Sequence, residues 1–155
     1  MTQLNSMEDF QRDISYRVLK RDNGTALLAA TLRDRFHDIA VEVVVDTATL
    51  EIISAQADFR RSPTTDCRSV SSRMGGLAGF TIGRGLQRKL AEVLGGAEGC
   101  GNMRNLLLGL LPLALNLNAA AGITGEQELL DAIHEKLAGT CAGYLPRVPV
   151  QMSAD

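Results

Sequence analysis

The chain has 155 residues, of which 45% are hydrophobic, and this length predicts one domain with a single hydrophobic core. Its 16 basic and 18 acidic residues give a net charge of −2, so no basic excess is available to neutralise nucleic-acid phosphates. Aromatic residues make up 4% and Trp is absent, which removes the stacking surfaces of single-strand binders, so nucleic-acid binding is not expected.

Neither the N-terminus nor the longest apolar run suggests membrane targeting. Residues 1–9 lack the basic start and the apolar run of a secretory signal. The longest apolar run, residues 106–117, is interrupted by Gly109, Pro112 and Asn116 and is shorter than the about 20 residues of a membrane helix. We therefore expect a cytoplasmic protein that does not enter a membrane, with its three cysteines as thiols.

The first part of the chain, residues 1–23, is predicted to be a polar N-terminal arm. Within it, the apolar residues have a spacing that fits either a short helix or an edge strand: Phe10, Ile14, Tyr16 and Val18. Asn23 and Gly24 tolerate positive φ and predict a turn. A single domain is predicted over residues 24–141, followed by a C-terminal tail over residues 142–155.

Three strands are predicted after this turn, over residues 25–32, 39–45 and 50–59. The second strand has the clearest pattern, because every second residue from Ile39 to Val45 is apolar. A charged corner, residues 33–38, connects the first strand to the second. The pattern predicts a three-stranded antiparallel meander with one face to be covered by the rest of the chain.

Glycine, proline and capping residues predict three to four helices in the remainder of the chain. These run from after Pro63 to Gly75, from Thr81 or Gly83 to Leu94, from Gly99 to Leu117 with a kink at Pro112, and from Thr124 to Gly139. The predicted fold class is therefore α+β, a three-stranded meander covered by C-terminal helices.

Two cysteines, Cys67 and Cys100, lie beside predicted helix N-termini. Free backbone amides and the positive end of the helix dipole favour the thiolate at such positions. The alternative is that both are small buried hydrophobic residues, which is the usual state of a free cysteine in a cytosolic core. Cys141 follows the last helix and is a further candidate, whereas His134 lies within that helix and is interpreted as a solvated side chain.

A metal site would have to be assembled by the fold, because the sequence contains no Cys-x-x-Cys and no His-Glu-x-x-His. His37 and Asp38 lie in the corner between the first two predicted strands and could face both cysteines. The predicted metal ligands are therefore Cys67, Cys100, His37 and Asp38, and thiolates suit zinc or an iron-sulfur cluster. The simpler alternative for His37 and Asp38 is an exposed surface turn.

The order of these pieces resembles a bacterial family known only as domain of unknown function 2889. The resemblance runs from about Tyr16 to Asn116, and its most specific part is the block Gly95-Gly96-x-x-Gly99-Cys100. In that family the cysteine is followed by Thr-His-Leu, whereas here Gly-Asn-Met follows it. The resemblance implies that Asn102 replaces a histidine with a ligand or base role, in a divergent or inactive member.

The architecture is also similar to that of U-type iron-sulfur cluster scaffold proteins. In those proteins, cysteines after the third strand and at a later helix N-terminus bind the nascent cluster, and a third ligand comes from the corner between strands one and two. The resemblance implies that Cys67, Cys100 and the His37-Asp38 corner take those places. The corner cysteine is missing here, although Asp38 resembles the acidic neighbour in that family.

Three functions follow as hypotheses. The first is a metal-binding or iron-sulfur scaffold-like protein that acts with protein partners or as a homo-oligomer. The second is a non-catalytic interaction or adaptor domain that has lost its site, which Asn102 motivates. The third is a thiol enzyme with Cys100 as nucleophile and His37 as base, and it ranks last because the sequence shows no third group to orient the base.

Overall fold

The computed structural model describes residues 7–21 and 23–145. The chain divides into two compact units, Met1–Asn118 and Ala119–Asp155. The part of the predicted tail beyond Leu145 and the first six residues of the predicted arm lie outside the described residues. The domain limits predicted at residues 24 and 141 stay predictions.

The sheet of the first unit has four antiparallel strands in the order of the sequence. They are β1 (Arg12–Lys20), β2 (Thr25–Asp34), β3 (Asp38–Asp46) and β4 (Ile52–Arg61). The α+β class is confirmed, but the prediction of three strands is wrong, because β1 forms within the predicted arm. Its residues Ile14, Tyr16 and Val18 recur at every second position and stand opposite apolar residues of β2, so the two-residue period of a strand prevails.

One face of the sheet is buried, and β2 and β3 supply most of its side chains. Every second residue of these strands has at most 2% of its surface exposed: Ala26, Leu28, Ala30, Leu32, Ile39, Val41, Val43 and Val45. Asp34 occupies the next position of the β2 series and is 7% exposed. A carboxylate therefore lies on the face that carries the hydrophobic core, at the end of the strand.

Helices cover this face. A 3-10 helix (Thr65–Leu77), α1 (Leu86–Leu94), α2 (Gly101–Leu110) and α3 (Leu113–Ala119) follow β4 in that order. The predicted kink is a break between α2 and α3, since Pro112 has no amide hydrogen to continue the helix. The core joins the sheet to the buried residues of the helices, among them Met74, Leu77, Leu90, Leu94, Met103, Leu106, Leu107 and Leu110.

The second unit contains α4 (Glu126–Lys136) and a short 3-10 turn (Ala142–Tyr144), and α4 has no buried residue. His134 Nε2 lies 2.9 Å from the carbonyl oxygen of Leu145, and its ring meets that of Tyr144 edge-on with centroids 5.9 Å apart. Across the described residues, none of the helices has the length and apolar character needed to cross a membrane.

Candidate functional site

The corner between β2 and β3 is organised by Asp34. Its Oδ1 accepts hydrogen bonds from the backbone amides of Phe36 and His37, each 2.8 Å long. The backbone amide of Asp34 donates in return to the carbonyl oxygen of His37 over 2.9 Å. An aspartate that binds the amides two and three residues ahead closes a tight turn, so Asp34 fixes where the His37 side chain begins.

The side chains of Arg12 and His37 also contact the Asp34 carboxylate. Arg12 reaches Oδ2 with Nε at 2.8 Å and Nη2 at 2.7 Å, and His37 Nδ1 lies 2.9 Å from Oδ1. Burial by itself would raise the pKa of Asp34, but the hydrogen bonds from Phe36, His37 and Arg12 together lower it to about 2. The carboxylate is therefore charged at neutral pH and accepts from every neighbour.

Asn102, at the start of α2, connects Arg12 to His37. Arg12 Nη1 donates to Asn102 Oδ1 over 3.0 Å, and Asn102 Nδ2 lies 3.2 Å from His37 Nε2. Arginine has no acceptor, so the Asn102 oxygen must face it and the amide nitrogen must face the ring. His37 Nε2 is then an acceptor and Nδ1 carries the proton. Arg12, Asp34, His37 and Asn102 form a closed ring of hydrogen bonds, which we call the corner network.

The loop that delivers Asn102 is held against the end of α1. The amide of Cys100 donates to the carbonyl oxygen of Leu94 over 3.0 Å. A side chain at Gly99 would overlap that same carbonyl group, so the close approach requires glycine. Cys100 is the N-cap residue of α2, as predicted, and it is half-buried and packs against the core.

Phe10 and Phe36 flank the corner network on its outer side. Their rings stack with centroids 6.1 Å apart, and the Arg12 guanidinium carbon is 5.9 Å from the centroid of Phe10. At the other end, Arg61 Nη2 donates to the carbonyl oxygen of Asp34 over 2.7 Å. Side chains from both edge strands, β1 and β4, therefore hold the corner in place.

Asp38, the predicted partner of His37, does not take part in the corner network. It precedes the buried Ile39 in β3, so it lies on the opposite face of the sheet from Asp34. Its Oδ1 is 3.4 Å from Arg33 Nε and has no hydrogen-bond partner in the described part of the chain. The carboxylate that orients the histidine is Asp34, three residues before it.

Cys67 lies in the first turn of the 3-10 helix that follows β4, close to the position the sequence predicts. It is half-buried, and its Sγ is 3.5 Å from the Thr64 hydroxyl oxygen. The hydrogen bond from the Thr64 side chain, with a smaller contribution from its backbone, lowers the pKa of the Cys67 thiol. These hydrogen bonds therefore enhance the thiolate character of Cys67.

The predicted ligand residues are distributed over separate elements. Within residues 7–21 and 23–145, no group of three or more His, Cys, Asp or Glu side chains is placed to hold a metal ion. Cys141 is exposed and belongs to the second unit. The metal site of Cys67, Cys100, His37 and Asp38 stays a prediction, without a preformed three-ligand group to support it.

The comparison with protein families identifies one match, described as "Protein of unknown function (DUF2889)", over residues 10–115. That range is more than half of the 155 residues. The chain belongs to this family. No curated protein and no solved structure matches the chain.

The DUF2889 match confirms the family resemblance. All four residues of the corner network lie inside the matched range, as do Cys67 and Cys100, whereas Cys141 lies outside it. Asn102, whose Nδ2 lies 3.2 Å from His37 Nε2, is therefore within the range that matches the family.

Proposed function

We propose that this DUF2889 domain is a non-catalytic interaction domain in which the corner network has replaced a reactive site. The observation that carries the proposal is the state of His37, whose Nδ1 is 2.9 Å from Asp34 and whose Nε2 is 3.2 Å from Asn102. A general base and a metal-ligating histidine both need a nitrogen lone pair. In the corner network that lone pair already accepts a hydrogen bond.

The strength of this bond alone would not exclude a ligand. One such hydrogen bond contributes about 1 kcal/mol net, whereas a closed structural zinc site contributes about 10–16 kcal/mol. A second observation supports the proposal: among the described residues, no group of three or more His, Cys, Asp or Glu side chains is placed to hold a metal ion. The proposal therefore combines an occupied imidazole with an incomplete ligand set.

A zinc or iron-sulfur site formed by Cys67, Cys100, His37 and Asp38 is the second candidate. The lowered pKa of the Cys67 thiol favours it, because the thiolate is the form that binds a metal. This candidate requires movement that frees His37 from Asn102 and brings the ligands together. The similarity to U-type scaffold proteins stays a prediction.

The proposal places the protein in the cytoplasm, acting through protein partners or further copies of itself. All three cysteines are free thiols, which supports a reducing compartment.

Metal analysis of anaerobically purified protein tests the proposal against the second candidate. We expect less than about a tenth of an equivalent of zinc or iron in the wild type, well below the one ion of a closed site. The same metal analysis is made on Asn102→His, which restores the family-like residue. Asn105→His, which changes an exposed position on the same helix, is the matched control. Stoichiometric metal in the wild type that disappears in Cys67→Ser would contradict the proposal.

Partner binding provides the positive test. A Cys67→Ser/Cys100→Ser double variant used for affinity capture should recover the same partners as the wild type with equal yield. A variant that keeps its fold by circular dichroism but loses those partners would show that the thiols carry the function.

A further inference from the structure

Among the described residues, no strand pairs with the outer edge of β1. In the described part of the chain, β1 pairs only with β2, and all of its residues except Val18 are exposed. The other edge strand is partly covered, because the amide of Ile52 in β4 donates to Phe80 over 2.9 Å and Gly79 donates back over 2.8 Å. An uncovered strand edge offers backbone donors and acceptors to another strand.

Apolar side chains accompany these backbone groups. Ile14 is 47% exposed and Tyr16 is 38% exposed, and both lie on the helix-covered side of the sheet, opposite Leu32 and Ala30 of β2. A strand that presents both free backbone groups and large apolar side chains is suited to receive a further strand.

The hydrogen bonding of β1 to β2 determines which residues face outward. The amide of Arg21 donates to the carbonyl oxygen of Thr25 over 2.9 Å, so odd-numbered residues of β1 direct their backbone groups toward β2. Even-numbered residues therefore direct theirs to the free edge. If a second copy of β1 pairs antiparallel along this edge, the even-numbered residues of one strand must stand opposite even-numbered residues of the other, because these form the hydrogen-bonded pairs.

We infer that β1 pairs antiparallel with β1 of a second copy, in the register centred on Ser15. This register places Ile14 opposite Tyr16 as a hydrogen-bonded pair, twice, because the two-fold axis repeats every contact. On the other face it places Asp13 opposite Arg17, also twice, as a non-hydrogen-bonded pair whose side chains lie closest. In this register, the exposed apolar residues and the charges of β1 in one copy are complementary to those of β1 in the second copy.

Neighbouring registers lack this complementarity. Centring on Tyr16 sets Arg12 opposite Lys20, and centring on Arg17 sets two Arg17 side chains against each other. Like charges directly opposite one another destabilise a strand pair. Centring on Ile14 avoids repulsion but sets Asp13 opposite Ser15 and so forms no ion pair between Asp13 and Arg17. The register on Ser15 alone among these gives two ion pairs and two large apolar pairs.

The resulting dimer has a continuous eight-stranded sheet, with the helices of both copies on the same face. The inference rests on the proposed function in one respect only: it names a second copy of this chain as a partner of the interaction domain. The contact involves single nine-residue strands, so its area belongs to the small class of interfaces and its affinity is expected to be weak.

Charge reversal tests the inference. Sedimentation velocity over a concentration series should show the wild type in monomer–dimer equilibrium. Asp13→Arg and Arg17→Asp each set like charges opposite one another and should raise the dissociation constant roughly tenfold or more. In an equimolar mixture of the two variants, a heterodimer has both ion pairs restored. The mixture should therefore dimerise, whereas each variant alone should not.

The register is tested by cross-linking. Ser15→Cys places two thiols across the two-fold axis in a non-hydrogen-bonded pair, with Cα atoms about 4.5 Å apart. A disulfide can bridge that distance, so mild oxidation should give a disulfide dimer. Leu19→Cys, which faces Gln11 in this register and keeps both ion pairs, is the matched control at an exposed position. The wild type under the same oxidant reports the native cysteines.

Several results would overturn the inference. These are a wild type that stays monomeric at every concentration, a dimer indifferent to both charge reversals, or equal cross-linking of Ser15→Cys and Leu19→Cys. Because Asp13 stands opposite Arg33 within the monomer, Arg17→Asp serves as the deciding variant if Asp13→Arg loses its fold. A monomeric wild type leaves the proposed function standing, since metal analysis tests that function separately.

Discussion

Asn102 Nδ2 lies 3.2 Å from His37 Nε2, although 64 residues separate the two in sequence. The contact closes a ring in which Arg12 donates to Asp34 and Asn102, while His37 connects those same two residues. Since each member has a fixed donor or acceptor role, the ring determines the protonation site of His37. Asn102 therefore occupies the Nε2 lone pair that His37 would need in order to accept a proton or bind a metal.

The first prediction concerns the tautomers of the two histidines. His37 should carry its proton on Nδ1, because Nε2 accepts from Asn102. His134 should carry its proton on Nε2, which faces the carbonyl oxygen of Leu145 at 2.9 Å. Long-range ¹H–¹⁵N correlation spectra, recorded at a pH where both rings are neutral, should show these opposite tautomers in one sample.

Asn102→Ala provides the control for this assignment. It should change the Nε2 chemical shift of His37 and leave the His134 signals in place. An Nε2–H tautomer at His37 in the wild type would show that the donor and acceptor roles assigned in the corner network are wrong.

The second prediction concerns acid stability. The pKa of Asp34 falls from 3.8 to about 2 on folding, so its contribution is fully present above about pH 4 and is lost as the pH falls through about 2. The shift corresponds to about 2 kcal/mol of unfolding free energy. Asp34→Asn should lower stability at neutral pH by about 3 kcal/mol and remove this acid-dependent part.

Asp46 supplies a matched control. It accepts from the backbone amides of Ala48 and Thr49 at 2.8 Å each, the same turn geometry as Asp34, but it is followed by no histidine and pairs with no arginine in the described residues. Urea unfolding across pH should therefore show a smaller loss for Asp46→Asn. Equal losses would mean that the turn, and not Arg12 and His37, stabilises the corner.

Local patterns in the sequence predict much of this fold. Strand β3 follows from the two-residue period between Ile39 and Val45, and the break before α3 follows from Pro112. The placement of Cys100 at the start of α2 follows from the glycines around it. These features depend on residues that are close in sequence, where the spacing of apolar residues, glycine and proline constrains the backbone.

The corner network could not be predicted in the same way, because it joins residues 12, 34, 37 and 102 from three elements. One signal for Asp34 was present: it continues the buried series that ends with Leu32, so a charge falls in a core position. A buried charge requires partners. Arg12 gave no comparable signal, since the apolar spacing of β1 fitted a helix as well as a strand.

The third prediction concerns Cys67. Thr64→Val removes the hydroxyl that lowers the pKa of the thiol, so it should slow alkylation of Cys67 by iodoacetamide at neutral pH. Thr64→Ser keeps the hydroxyl and should retain most of the wild-type rate. Peptide mapping by mass spectrometry reports Cys100 and Cys141 in the same reaction, and their rates should not change. A Cys67 rate independent of residue 64 would contradict the assignment.

The fourth prediction concerns the contact that orients Tyr16 on β1. A Cβ at Gly109 of α2 would overlap the Tyr16 hydroxyl and lie 2.6 Å from its Cζ. Tyr16 is 38% exposed, and its side chain can shift to relieve the overlap, at some cost. Gly109→Ala should therefore stabilise the fold by less than the about 1 kcal/mol by which alanine favours a helix over glycine.

The two effects separate in a double-mutant cycle. In a Tyr16→Val background the overlap is gone, so Gly109→Ala should stabilise by the full helix preference of about 1 kcal/mol. Denaturant unfolding of the four proteins measures this difference between the two backgrounds. If Gly109→Ala has the same effect in both backgrounds, Tyr16 does not pack on α2, and the exposed edge of β1 must be oriented by its pairing with β2 alone.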